Sequence, residues 1–98
     1  MPIPTGSAPL AALKQWLAIS TPAEDALLER LLLAAYQTCG AFAGAEALAG
    51  DWGDVAPPLN EGIIRFAAHL YRDRDAGSSR EPPAAVAALW RPYRMVRL

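Results

Sequence analysis

The clearest alternation of apolar and polar positions runs over residues 57–75 and predicts a helix on which the others pack. Pro58 presets a helical φ near the start, and Glu61 places a negative charge near the positive end of the helix dipole. Apolar residues then recur every three or four positions, which lines one side of an α-helix and fits no strand. They are Leu59, Ile63, Phe66, Ala67, Leu70 and Tyr71. The opposite side carries a basic stripe, made of Arg65, His69 and Arg72.

A short first helix is predicted over residues 9–19. Ser7 is a suitable N-cap, and residues 1–8 are a lead rich in proline, glycine and serine that is expected to be loosely ordered. A helix of this length is marginal in water on its own, so its apolar side must pack against the rest of the chain. That side contains Leu10, Leu13, Trp16 and Leu17.

The strongest helix start in the chain predicts a second helix over residues 22–42. Thr21 is expected as the N-cap, Pro22 as the first helical residue, and Glu24 as the residue that closes a capping box. The predicted buried stripe contains Leu28, Leu31, Leu32, Ala35, Cys39 and Phe42. The charged residues expected to face solvent or a partner are Glu24, Asp25, Glu29 and Arg30.

Glycines interrupt the pattern over residues 40–56, which are predicted to form a variable loop between the second and third helices. Within it, residues 51–54 have the composition of a turn with one anchoring aromatic, Trp52. Trp52 either covers the core of its own domain or contacts another subunit. Asp51 and Asp54 suggest paired carboxylates, but acids in a glycine-rich turn are usually just solvated.

A last helix is predicted over residues 83–91, where Pro92 ends it, followed by a tail over residues 92–98. The four helices make a small all-α bundle in one domain of 98 residues. Abundant Ala and Leu beside sparse Val and Ile favour helices over strands, and a hydrophobic content of 53% is enough for a small core. The predicted core contains Leu28, Leu32, Ile63, Phe66, Leu70 and Leu89.

The formal net charge of −1 excludes a strongly basic nucleic-acid binder on composition alone, yet the charge is unevenly distributed. Residues 1–60 contain two basic and six acidic residues, a net charge of −4. Residues 61–98 contain seven arginines and four acidic residues, a net charge of +3. A small protein polarised in this way can stack acidic surface to basic surface on copies of itself.

Candidate catalytic and metal-binding residues are few. His69 is the only histidine, no ligand pair has metal-binding spacing, and no motif supports a catalytic pair of His69 with Cys39. His69 is instead expected to cap or hydrogen-bond between helices, next to Tyr71, and Cys39 to be a buried, unreactive thiol. No phosphate-binding loop, nucleophile elbow or nucleotide fingerprint is present. The sequence therefore predicts no enzyme, no metal and no cofactor.

The start of the chain lacks the basic and apolar regions of a secretory leader. Its longest uncharged run, residues 31–45, is too short and too polar to span a bilayer. We therefore expect the protein to be made and assembled in the cytoplasm, with no membrane partner.

The C-terminal part of the chain has an AHLYxxR motif at the end of a helix, a Gly/Ser loop, and then a PxxVxxLxxPYR segment. This order resembles the head–tail connector (head completion, or adaptor) proteins of long-tailed bacteriophages. The resemblance is strongest over residues 57–94 and weak over residues 40–56, and residues 81–86 lack the aromatic and glycine found in relatives. The matching positions are Ala68, His69, Leu70, Tyr71, Arg74, Pro83, Val86, Leu89, Pro92, Tyr93 and Arg94.

The resemblance implies a non-enzymatic virion protein that forms a homo-oligomeric ring, expected to be twelvefold, beneath the portal protein. Tail-side stopper or tail terminator proteins would attach to this ring, and packaged DNA would pass through its bore with non-specific contacts only. A phage, a prophage or a gene transfer agent is compatible with it. The implied portal-binding residues are Arg91, Tyr93, Arg94, Met95, Arg97 and Leu98. The implied inter-subunit or DNA-channel residues are Arg65, His69, Arg72, Arg74 and Trp52.

Two other interpretations of the arginines remain open. The protein could be a small DNA-binding regulator of the helix-turn-helix type, although acidic residues are interleaved with the arginines. The arginines could also simply form ion pairs within and between subunits. For the C-terminal tail, the alternative to portal binding is a segment folded back over Trp90.

Overall fold

The computed structural model of the protein describes residues 8–73 and 81–94. These residues form four α-helices, which we number α1 to α4, joined by short 3₁₀ turns, and the described ranges contain no strand. The helices are α1 (Ala8–Leu17), α2 (Asp25–Ala43), α3 (Pro57–Arg72) and α4 (Ala84–Trp90). The 3₁₀ turns are Ala45–Leu48, Trp52–Asp54 and Arg91–Tyr93. The all-α prediction is confirmed.

Helix α1 ends at Leu17, two residues before the predicted end at Ile19. Ala18 has a left-handed backbone (φ 59°), and the amide of Ile19 donates to the carbonyl oxygen of Lys14 at 2.9 Å. This is the Schellman motif, which normally places glycine at the left-handed position. The end was missed because no glycine marks it. The expected N-cap of this helix, Ser7, lies outside the described residues.

Helix α2 begins at Asp25, so the predicted start with Thr21 as N-cap and Pro22 as first residue is wrong. Glu24 itself occupies the N-cap position, and its side chain makes no capping hydrogen bond. Its carboxylate instead accepts a hydrogen bond from the Tyr71 hydroxyl at 2.5 Å. The Glu24 carboxylate, which the predicted capping box required, is thus bonded to a residue of another helix.

Helix α3 is central, because α1, α2 and α4 all pack against it. The predicted core residues on α2 and α3 are buried: Leu28, Leu32, Ile63 and Phe66. Leu70 and Leu89, expected in the core, are only partly buried at its edge, as are Leu17, Leu31 and Phe42. Trp16 was expected on the buried side of α1 but is 44% exposed. Residues 74 and 75, the predicted end of α3, lie outside the described residues.

Trp90, the last residue of α4, is completely buried against α3. A Cβ atom at Gly62 would lie 2.0 Å from Trp90 Nε1, so only glycine lets the indole approach this closely. Nε1 donates to the carbonyl oxygen of Leu59 at 3.3 Å. The ring centroids of Phe66 and Phe42 lie 6.1 and 5.9 Å from that of Trp90. This contact fixes α4 on α3 and beside the C-terminal end of α2.

The segment between α2 and α3 is held at both of its 3₁₀ turns. The Tyr36 hydroxyl donates to the carbonyl oxygen of Leu48 at 2.8 Å. Asn60 Nδ2 donates to the carbonyl oxygen of Trp52 at 2.9 Å, and the Trp52 side chain is partly buried against the core. Asp51 and Asp54, expected to be merely solvated, form a reciprocal capping box, in which each carboxylate accepts the other's amide.

Candidate functional site

The basic stripe of α3 is partly engaged within the chain. Arg65 Nε donates to Glu61 Oε2 at 2.9 Å, one turn earlier on the same helix. The guanidinium also lies over the indole ring of Trp16, 5.2 Å from the ring centroid. This stacking links α1 to α3. The contact lies at the surface, because Trp16 is 44% exposed and the Arg65 side chain is 41% exposed.

Within residues 8–73 and 81–94, His69 makes no bond between helices, contrary to expectation. The Nε2 atom of His69 lies 3.2 Å from Oδ2 of Asp73, the C-cap residue of α3, and its ring stacks on Phe66 with centroids 6.4 Å apart. Tyr71, two residues along, makes the connection between helices through Glu24. Arg72 is exposed, and Arg74 lies outside the described residues.

The C-terminal residues that were expected to bind the portal are described as far as Arg94. Arg91 and Arg94 are exposed, and Tyr93 is partly buried against the core. The guanidinium of Arg94 lies 5.1 Å from the ring centroid of Phe42. The remaining predicted residues, Met95, Arg97 and Leu98, lie outside the described residues.

The structure separates the two groups of arginines. Arg94 lies beside Phe42 at the C-terminal end of α2, whereas the Tyr71 to Glu24 bond places the last turn of α3 at the N-terminal end of α2. At 1.5 Å per residue, the 18 positions from Glu24 to Phe42 span roughly 27 Å. The arginines of the basic stripe and those of the C-terminal motif therefore form separate surfaces. A small binding site on a partner would contact only one of these surfaces.

Ion pairs within the described part of the chain involve few arginines. Besides Arg65 with Glu61 and His69 with Asp73, the one remaining pair joins Lys14 Nζ to Asp25 Oδ1 at 2.8 Å. Asp25 was expected to face solvent or a partner, but it ties α1 to α2. The interpretation that the arginines form ion pairs within the subunit thus holds, among the residues described, for Arg65 alone.

No catalytic arrangement is formed by the candidate chemical groups in the described ranges. Cys39 is fully buried, and this burial raises the pKa of its thiol from 9.0 to about 12. Burial, and secondarily the neighbouring Cys39, raise the pKa of Tyr36 above its usual value of 10.0. The residues described contain no cluster of three or more His, Cys, Asp or Glu side chains that could hold a metal ion. No described helix combines the length and apolar character needed to cross a membrane.

Sequence reasoning missed one surface feature, the contact between Trp16 and Arg65. Trp16 is part of the predicted apolar side of α1, whereas Arg65 is part of the basic stripe of α3, so the two were expected in different environments. Only the packing of α1 on α3 brings them together.

No protein-family model matches this chain, and no curated protein and no solved structure is detectably similar to it.

Proposed function

We propose that this chain is a non-enzymatic head–tail connector of a tailed bacteriophage or of a related particle such as a gene transfer agent. In this proposal, copies of the chain form a ring, expected to be twelvefold, beneath the portal protein. The ring joins the DNA-filled head to tail-side stopper or terminator proteins, so the mature location is the neck of the virion. Assembly takes place in the cytoplasm of the bacterial host.

The proposal is carried by one observation: some residues of the C-terminal motif pack in the core, and others are exposed to solvent. Ala68 and Val86 are buried, and Leu89 and Tyr93 pack at the edge of the core. These positions make α3 and α4 a fixed unit, with Trp90 set into the groove at Gly62. The order of the elements in the motif, a helix, a loop and a second short helix, is therefore explained by the packing of α4 on α3.

The exposed part of the same motif supports a binding role. Arg91 directly follows the buried Trp90 and Arg94 directly follows the partly buried Tyr93, so their backbone is anchored while their side chains reach solvent. Arginine can pair with two oxygens of one carboxylate and stack on aromatic rings, as Arg94 does on Phe42. Arginine is one of the residue types enriched at protein interfaces. We assign portal carboxylates as the partners of these two arginines, with Met95, Arg97 and Leu98 continuing the contact.

The regulator interpretation gains no support from the described residues. A recognition helix must lie in the major groove with one side free. Helices α1, α2 and α4 all pack against α3, and the stripe of α3 that stays exposed interleaves its arginines with Glu61 and Asp73, whose carboxylates would repel DNA phosphates. Any contact between DNA and the arginines that stay uncovered in the ring would then be non-specific, as expected for a channel lining.

The proposal is tested by mixing the full-length chain with the portal protein encoded in the same genome and examining the mixture by native mass spectrometry and electron microscopy. We expect a ring of the chain on the portal. Charge reversal at both anchored arginines (Arg91→Glu with Arg94→Glu) should weaken binding at least about tenfold.

The control is Arg30→Glu on α2, a single charge reversal at an exposed arginine outside the motif, and this variant should bind like the wild type. Melting temperatures of all variants exclude unfolding as the cause. Absence of any complex with the portal, together with specific binding of a short DNA duplex at physiological salt, would refute the connector and favour the regulator.

A further inference from the structure

One exposed patch, here called the Trp16–Arg65 surface, consists of Trp16, Arg65 and Arg72. Trp16 is 44% exposed and is one of only two large apolar side chains with such exposure in the described part of the chain. Arg65 is stacked on it and uses Nε for Glu61, so its two terminal nitrogens have no hydrogen-bond partner among the described residues. Arg72 is exposed two turns further along α3, about 10 Å away along the helix axis.

A second patch, here called the acidic turn, consists of Asp51 and Asp54 at the Trp52–Asp54 turn, together with Glu46 of the preceding Ala45–Leu48 turn. All three residues are exposed, and none has a basic partner in the described part of the chain. Asp51 and Asp54 hold one another in place, with the Asp51 amide 3.1 Å from Asp54 Oδ2. Asn60 on α3 also holds the backbone at Trp52, so the carboxylates of Asp51 and Asp54 are presented in a fixed arrangement, while the Tyr36 hydroxyl holds the turn that carries Glu46.

The two patches lie on different sides of α3. Asn60, which holds the acidic turn, and Arg65 are five residues apart, which is a rotation of about 140° around the helix. The turn therefore lies away from the Arg65 of its own chain. A contact between one patch and the other patch of a second copy is heterologous, and such contacts close into rings or extend into filaments instead of forming twofold dimers.

We propose that the acidic turn of one copy docks on the Trp16–Arg65 surface of the next copy. The inference rests on the proposed ring and names the contact that builds it. The charges are complementary, since three carboxylates without basic partners in the described ranges meet two arginines, in a chain whose two parts carry −4 and +3. The exposed indole supplies apolar area beside the charges, and tryptophan with arginine is the usual composition of an interface centre.

The contact is tested by sedimentation equilibrium of the full-length chain alone, up to about 1 mM, a concentration at which contacts worth only about 4 kcal/mol are measurable. We expect concentration-dependent association of the wild type that weakens with added salt. Arg65→Glu and Glu46→Arg should each weaken association at least about tenfold, because each places like charges opposite one another. Glu46 is chosen because its replacement leaves the capping box of Asp51 and Asp54 intact.

The decisive measurement is an equimolar mixture of the two variants. In the mixture, the glutamate introduced at position 65 of one chain faces the arginine introduced at position 46 of the other, so association should return towards the wild-type value. Arg30→Glu, with the same change of net charge as Arg65→Glu at an exposed site on α2, should associate like the wild type. Failure of the wild type to associate, normal association of Arg65→Glu, or no recovery in the mixture would each overturn the contact.

The outcome is independent of the portal experiment. A chain that binds the portal while its variants associate normally would keep the connector proposal and place the acidic turn against a different partner, such as a tail protein. A chain whose mixture shows recovery but which does not bind the portal would keep the contact and lose the connector proposal.

Discussion

Trp90 and Trp16 each lie in the last turn of a short helix, yet their environments are opposite. Trp90 on α4 is fully buried, with its Nε1 bonded to the carbonyl oxygen of Leu59 and two phenylalanine rings nearby. Trp16 on α1 is 44% exposed and is covered on one face by the guanidinium of Arg65. The same pattern of apolar spacing therefore led to a closed region around Trp90 and an open region around Trp16.

The difference is caused by the surface of α3 that each tryptophan meets. Opposite α4, Gly62 removes a side chain and leaves room for the whole indole. Opposite the end of α1, α3 presents Arg65, whose charge keeps this region in contact with water. Apolar spacing identifies which side of a helix faces inward, but the facing helix decides how far a large side chain can be buried.

The largest expected effect is that of Trp90→Ala, in the closed region. Removing a fully buried indole leaves a cavity and should lower the free energy of unfolding by about 3–5 kcal/mol. Phe66→Ala, which removes the ring that meets Trp90 edge-on, should cost a similar amount. Urea denaturation monitored by circular dichroism measures the free energy of unfolding of both variants. A decrease in this free energy of less than about 1.5 kcal/mol in either variant would show that the region is not closed.

The next largest effect is expected for Gly62→Ala. The added Cβ would lie 2.0 Å from Trp90 Nε1, and the resulting displacement should cost about 2–3 kcal/mol despite the better helix propensity of alanine. Gly53→Ala is the matched control, because nothing lies within 4 Å of a Cβ there, and it should be neutral to about 0.5 kcal/mol. Equal melting temperatures of the two variants would contradict the role assigned to Gly62.

The closed region also predicts a pH dependence through Cys39, one helical turn before Phe42. Burial raises the pKa of the thiol from 9.0 to about 12 in the folded protein. Between these values the unfolded chain has lost a proton that the folded chain keeps, so stability is intact below pH 9 and falls above it. The fall should reach up to about 1.4 kcal/mol per pH unit. Cys39→Ala should remove this part of the slope, and identical slopes in both proteins would contradict the burial of the thiol.

How far the sequence predicts this fold is clearest at α3. Its apolar spacing predicted the buried Ile63 and Phe66, because periodicity depends only on local helix geometry. The predicted start of α2 was wrong, because Glu24 bonds to Tyr71 instead of closing a capping box. These two residues are 47 positions apart, so no local sequence pattern indicates the bond. The end of α1 was wrong because Ala18 adopts a backbone that normally signals glycine.

The candidate surfaces were less predictable than the fold. The arginines of the basic stripe and of the C-terminal motif were identified by charge and spacing, but their partners were not. That Arg65 stacks on Trp16 and Arg94 on Phe42 depends on which helices are neighbours. The functional role of these surfaces stays a prediction, tested by the portal and self-association measurements.

The smallest expected effect on stability is that of Trp16→Ala, in the open region. About half of the indole already contacts water and no enclosed cavity would form, so the loss should be about 1 kcal/mol. Fluorescence quenching by acrylamide provides a direct check, since removing Trp16 should remove the most quenchable part of the emission while buried Trp90 remains protected.

The same substitution should weaken self-association strongly, because the proposed contact covers the exposed indole. Thus Trp16→Ala should reduce association at least about tenfold at a cost in stability several-fold smaller than that of Trp90→Ala. Leu33→Ala is the control, since Leu33 is 40% exposed on α2 but lies outside the proposed contact, and it should leave association unchanged. If Trp16→Ala instead unfolds the protein as readily as Trp90→Ala does, the region around Trp16 is closed in solution and its exposed ring cannot be the docking surface.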